Sequence, residues 1–171
     1  MEGFIPIGRL TKLHGLRGEL VFLPYVYDLD LLPDLVAQQV FLQHGGAPMQ
    51  LRTVRTWRLI HKRVLVQLAG CEDATSAEQW REYEVLIPRS WFPPLPVDEY
   101  YWFEIEGLAV YDNEGAYLGT VVEIIYTGSN DVYVVRHAAQ ERLVPALRTV
   151  IRTIDLSQGA IHLAVAAGLL D

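Results

Sequence analysis

Polar and apolar residues alternate with a period of two along much of the chain, the spacing of strands whose side chains point to opposite faces. Phe4 to Leu10 reads this way, with Phe4, Pro6, Gly8 and Leu10 on one face. Glu19–Leu23, Gln39–Gln43, Gln50–Leu59, Lys62–Leu68 and Glu84–Ile87 read as further strands. In Lys62–Leu68 the alternation puts Val64, Val66 and Leu68 on one side. Turns fall at His14-Gly15-Leu16-Arg17-Gly18 and at Gly45-Gly46, where glycine admits positive φ. Only Asp73–Tyr83 has helical spacing, with Asp73 as a cap and Ala74, Ala77, Trp80 and Arg81 recurring on one face. Six short strands and one helix predict a small closed barrel, because closure removes exposed edges.

The later part of the chain repeats this plan without repeating the sequence. Gly107–Tyr111, Leu118–Tyr126, Val132–Arg136, Arg142–Val144 and Ala160–Val165 read as strands. Asp112-Asn113-Glu114-Gly115 and Thr127–Asp131 read as turns, and Leu147–Ile154 as a short amphipathic piece. Between the halves, Ile87 to Glu99 holds four of the nine prolines. Proline fixes φ and removes the amide donor, so this segment reads as an extended, semi-rigid connector. The expected organisation is a barrel over 1–88, a Pro-rich linker over 89–98 and a second barrel over 99–171. The fold class is mainly β.

Charge separates the halves as well. The whole chain has 14 basic and 21 acidic residues, a formal charge of −7. Residues 1–90 carry ten of each sign, whereas 91–171 carry four basic and eleven acidic, so all the excess lies in the second half. About half the residues are hydrophobic, which argues against disorder. No apolar run approaches the ~20 residues of a membrane span, and the start, Met1-Glu2-Gly3-Phe4, has no basic cluster followed by an apolar stretch. The expectation is a cytoplasmic protein with no membrane partner. The single cysteine, Cys71, excludes an internal disulfide and a cysteine-built zinc site.

No catalytic signature is visible: no nucleophile elbow, no phosphate loop, no dinucleotide fingerprint and no His-Glu-x-x-His. The five histidines are scattered, and Glu104 with Glu106 reads as a solvated face. No cofactor and no metal is expected. Two stretches stand out. Arg52, Arg55, Arg58, Lys62 and Arg63, with His61 among them, fall within twelve residues that hold no acid, joined by Lys12, His14 and Arg17. Such a patch either meets RNA phosphates or is a set of solvated barrel strands. The other is Glu99-Tyr100-Tyr101-Trp102-Phe103-Glu104. In an extended segment Tyr100 and Trp102 face one way and Tyr101 and Phe103 the other, so one pair can pack while the other points out as a protein-binding hot spot. The alternative is that all four plug the junction between the halves.

These residues resemble the ribosome maturation factor family RimM. The similarity runs through Gly8–Leu20 (GRLTKLHGLRGEL), then Glu99-Tyr100-Tyr101-Trp102 with Ile105, Gly107 and Leu108. It continues through Gly115 with Leu118–Val121, then Gly128–Val135, Leu143-Val144-Pro145, Asp155 and Gly168-Leu169-Leu170. The departures are Glu104-Ile105-Glu106-Gly107, where the family often has Asp-Leu-Ile-Gly, and Glu82, where a glycine is common. The resemblance implies an N-terminal six-stranded barrel of translation-factor type and a C-terminal PRC barrel. It implies a non-catalytic factor that binds the immature 30S subunit at a head ribosomal protein, number nineteen, and supports 16S rRNA processing. Its partner-binding residues would be Tyr100 and Tyr101, with Glu99 and Trp102 beside them. A PRC-barrel adaptor for a non-ribosomal partner and a flavin-dependent reductase are the competing readings.

Overall fold

A computed structural model describes residues 3–26, 28–36 and 38–170; Met1 and Glu2, on which the reading of the start rests, lie outside them. The chain divides into two compact units, residues 1–94 and 95–171. The break falls inside the Pro-rich segment.

The first unit contains β1 (Phe4–His14), β2 (Glu19–Pro24), β3 (Gln39–Gln43), β4 (Gln50–Ile60), β5 (Arg63–Leu68) and β6 (Glu84–Pro88). They close into a barrel in the order β1-β2-β5-β4-β3-β6. Inward positions are large and apolar: Ile7, Leu10, Leu20, Phe22, Leu68 and Ile87 are all buried. Each such side chain contributes roughly 1.5–3 kcal/mol by leaving water.

β1 departs from simple alternation. The register of β1 against β6 shifts between Pro6 and Gly8. That bulge flips the parity of the strand. Pro6 is therefore exposed and Ile7 enters the core, the reverse of the expected facing. The turn to β2 needs its glycine. Gly18 has φ +75°, and a Cβ there would land on the Cys71 carbonyl. That contact ties the β1–β2 turn to the segment leading into the helix.

The helix α1 is shorter than expected, Ala74–Glu78. Asp73 starts it by accepting from the Ser76 N–H at 2.7 Å. It ends early because Trp80 turns inward and is buried, while Glu82 takes φ +66°. Part of the expected connector also belongs to this unit. Arg89–Trp91 forms a 3-10 turn, the Arg89 N–H donates to the Gly3 carbonyl at 2.7 Å, and Phe92 is buried.

The second unit contains α2 (Trp102–Ile105), β7 (Ala109–Tyr111), β8 (Tyr117–Tyr126), β9 (Asp131–His137), β10 (Gln140–Pro145), β11 (Ile151–Asp155) and β12 (Ala160–Leu163). Its sheet runs β10-β9-β8-β7-β12-β11, with β12 parallel to β7. Ile105, Val110, Leu118, Val135, Ile161 and Leu163 form its core. The piece read as amphipathic, Leu147–Ile154, is a turn followed by the strand β11. Asp112 secures the β7–β8 turn by accepting from the Glu114 and Ala116 N–H groups.

Candidate interfaces on the two units

The aromatic segment of the second unit is a helical turn, not an extended strand. The Glu104 carboxylate accepts from the Tyr101 N–H at 3.0 Å, and the Glu106 N–H donates to the Trp102 carbonyl at 2.9 Å. A glutamate three residues after the helix start satisfies an otherwise orphan amide, so Glu104 selects α2 over a strand. The facing changes accordingly. Tyr101 and Trp102 are 5% and 6% exposed, Tyr100 and Phe103 are half-buried, and Glu99 is exposed. The expected outward pairing is therefore corrected. Tyr101 stacks on Phe103 with ring centroids 5.2 Å apart.

Tyr100 borders a groove of about 420 Å³ with Asp98, Tyr133, Leu147, Arg148 and Ile154. Arg148 lies 3.7 Å from Asp98. Tyr133, 7% exposed, has its phenol pushed up to about 12, first by burial and then by the negative field of Asp131 and the phenols of Tyr100 and Tyr126. Glu106 is raised by desolvation and by the like charge of Glu123. Tyr126 is raised by burial, then by Asp131 and Glu106. Tyr100, Tyr133, Asp131, Tyr126, Glu106 and Glu123 thus form one electrostatically connected strip. Sequence reading missed four of these; the pairing of β8 with β9 sets Tyr126 opposite Asp131 and Ile124 opposite Tyr133, a register the sequence does not announce. Of the pair read as a solvated face, Glu106 is exposed as expected, whereas Glu104 is half-buried and caps α2.

On the first unit three arginines of the basic stretch have partners inside the barrel. The Arg52 guanidinium sits over the Trp80 ring at 4.4 Å. Arg55 pairs with Glu72 at 3.1 Å. Arg58 donates from Nε and Nη2 to the two oxygens of Glu19. All three, expected to contact RNA, thus also have a partner within the barrel, while the side chains of Arg55 and Arg58 stay about half exposed. Among the described residues no carboxylate lies within 4 Å of Lys12, Arg17, Lys62 or Arg63. Lys12, His14, Arg17, Lys62 and Arg63 are exposed. His14 and Arg63 border a notch of about 180 Å³ with Ile60, His61 and Leu65. His61, which the sequence places in the basic stretch, thus stands beside His14 from another strand end.

Cys71 is buried, and burial pushes its thiol up, away from the thiolate a nucleophile needs. Among the described residues no three His, Cys, Asp or Glu side chains are grouped to hold a metal ion, and no helix is long and apolar enough to cross a membrane.

Two family models match the chain, the RimM N-terminal domain over residues 5–92 and the RimM PRC barrel domain over 102–169. The chain belongs to the RimM family. It is 35% identical over 165 residues to the ribosome maturation factor RimM of Geotalea uraniireducens, covering 96% of this chain and 94% of that one. It is 36% identical over 163 residues to the Pseudomonas paraeruginosa protein of the same name, covering 92% and 91%. A crystal structure of a RimM protein from Pseudomonas aeruginosa is 32% identical, covers 96% of this chain and 99% of that one, and aligns with a TM-score of 0.46. The two units are thus the RimM N-terminal barrel and the RimM PRC barrel, and membership places the chain among ribosome maturation factors.

Proposed function

We propose that this RimM protein is a non-catalytic assembly factor of the cytoplasm that binds immature 30S subunits and supports head assembly and 16S rRNA processing. Its PRC barrel grips a basic ribosomal protein of the small-subunit head, number nineteen. The phenol-and-carboxylate strip supports this reading more than any other observation. Tyr100 offers a half-buried ring at the edge of a groove, and Asp131, Glu106 and Glu123 supply negative charge along the same strip. Aromatic anchors carry affinity, whereas peripheral carboxylates steer the encounter with a cationic partner. Tyr101 and Trp102 are buried, so in this reading they hold the turn that presents Tyr100 and Glu99.

The N-terminal barrel meets rRNA phosphates through Lys12, His14, Arg17, Lys62 and Arg63. No covalent chemistry is needed. A factor that binds one arrangement of protein and RNA better than another shifts the assembly equilibrium by that difference in affinity.

Capture of purified ribosomal protein nineteen by the full chain tests the proposal. Tyr100→Ala is expected to weaken capture by about 30-fold or more, the effect of losing a hot-spot ring. Glu106→Gln with Glu123→Gln is expected to slow association and flatten its salt dependence. The Tyr100→Ala, Tyr101→Ala double variant is informative only with circular dichroism to show that the unit stays folded. Undiminished capture by folded Tyr100→Ala protein contradicts the assignment.

A further inference from the structure

The hairpin joining β4 to β5 is closed by two residues, with Ile60 paired to Arg63 across it. Both loop residues have positive φ, His61 at +46° and Lys62 at +65°. This is the type I′ geometry, which strongly prefers Asn-Gly because each position penalises a Cβ. Here both positions carry long side chains with nitrogen donors, and neither side chain is needed by the barrel: both are exposed. Strain held in a sparsely populated backbone region points to function when nothing in the fold requires the residue.

Beneath the turn lies the notch bordered by His14, Ile60, His61, Arg63 and Leu65. Alternation along β5 sends Val64, Val66 and Leu68 inward, which puts Arg63 and Leu65 on the outer face. Leu65 is nevertheless only 1% exposed, so the notch has an apolar floor. Charges bordering such a floor act in a lower effective dielectric than charges on open surface. The nearby acid, Glu19, gives both carboxylate oxygens to Arg58 and does not cancel the cations of the turn.

We infer that the His61–Lys62 turn, with His14 and Arg63, is a dedicated seat for a backbone phosphate of RNA, kept at a cost in folding stability. The inference rests on the rRNA reading above and narrows it to one notch. The cations left outside the seat, Lys12 and Arg17, supply general attraction in this view.

The test replaces the turn with its preferred residues, His61→Asn plus Lys62→Gly, in the full chain, and compares it with Lys12→Ala plus Arg17→Ala. The probe is a blunt RNA duplex titrated between 0.05 and about 0.2 M salt, where the fall of log affinity with log salt counts phosphate contacts. The turn variant is expected to melt about 4–8 °C higher. It is also expected to lose about five- to eightfold in affinity at about 0.1 M salt, with a slope shallower by 0.7–0.9, the signature of one lost phosphate contact. Wild-type protein with no salt-dependent affinity for the duplex overturns the rRNA reading itself. Wild-type binding that Lys12→Ala plus Arg17→Ala weakens, but that the turn variant leaves intact, overturns only the seat. A turn variant that melts no higher than wild type overturns the claim that stability was given up for it.

Discussion

Arg58 reaches from β4 to Glu19 on β2, donating from Nε at 2.8 Å and from Nη2 at 2.7 Å to the two carboxylate oxygens. The strands are not neighbours; β5 lies between them. The bridge therefore staples three strands on the outer face of the barrel. The Glu19 side chain is 11% exposed and that of Arg58 50%. Removing the arginine strands a carboxylate that water reaches poorly, whereas the arginine itself is well solvated. Arg58→Ala is expected to destabilise the first unit by about 1–2 kcal/mol, between the values for an exposed pair and a buried one. Urea unfolding measures this. The same variant is expected to leave RNA affinity nearly unchanged, because its charge is already engaged.

Gly15 and Gly18 flank one turn and both have positive φ, +65° and +75°. Their surroundings differ. A Cβ on Gly15 meets nothing within 4 Å, but one on Gly18 collides with the Cys71 carbonyl. Gly15→Ala is expected to cost only the left-handed backbone penalty, about 1–2 kcal/mol. Gly18→Ala adds overpacking against rigid backbone, a further 1–3 kcal/mol or so. Thermal or urea unfolding of the two variants side by side separates backbone strain from steric contact.

Glu82 is the reverse case, a position whose backbone suits glycine and whose residue is not one. Its φ is +66°, and its carboxylate is 3.6 Å from Arg9 with both side chains about half exposed. An exposed ion pair of that length contributes little. Glu82→Gly relieves the left-handed penalty but loosens the unfolded chain. The net expectation is a gain of up to about 1 kcal/mol. It should show as a higher urea midpoint with an unchanged slope.

The barrel was legible in the sequence because one face of each strand is buried and period-two alternation records that. It failed at β1, where the bulge between Pro6 and Gly8 exchanges the faces and no residue type announces the extra position. Helix length was overestimated because Trp80 and Arg81 keep helical spacing while Glu82 has already left the helix. The acidic half was visible as a charge count, but not the approach of Glu106 to Glu123, nor that of Tyr126 to Asp131, which the pairing of β8 with β9 creates. The aromatic run was found and its facing misread. Glu104, three residues after Tyr101, is the signal of a capped turn, and its spacing from Glu106 also fits an acid pair on a strand, which hides it. The partners of three arginines in the basic stretch were not legible, because Trp80, Glu72 and Glu19 lie far away in sequence.

Tyr133 gives the second unit a pH dependence of its own. Its phenol is pushed from 10.0 up to about 12, mainly by burial and then by Asp131. The folded protein therefore holds that proton more tightly than the unfolded chain does. The associated stability is fully present below pH 10 and is lost as the pH rises through 12, since the unfolded state releases its proton first. A shift of that size corresponds to about 2–3 kcal/mol. Tyr133→Phe removes the ionisable group but keeps the ring against the core. It is expected to flatten the alkaline decline in stability between pH 10 and 12 while leaving the neutral-pH fold in place. Urea unfolding followed by tryptophan fluorescence at stepped pH measures the decline, and ultraviolet tyrosinate titration should show one late-titrating phenol missing from the variant. If that late phenol persists in Tyr133→Phe, the burial and negative field at the edge of the Tyr100 groove are not what raises it.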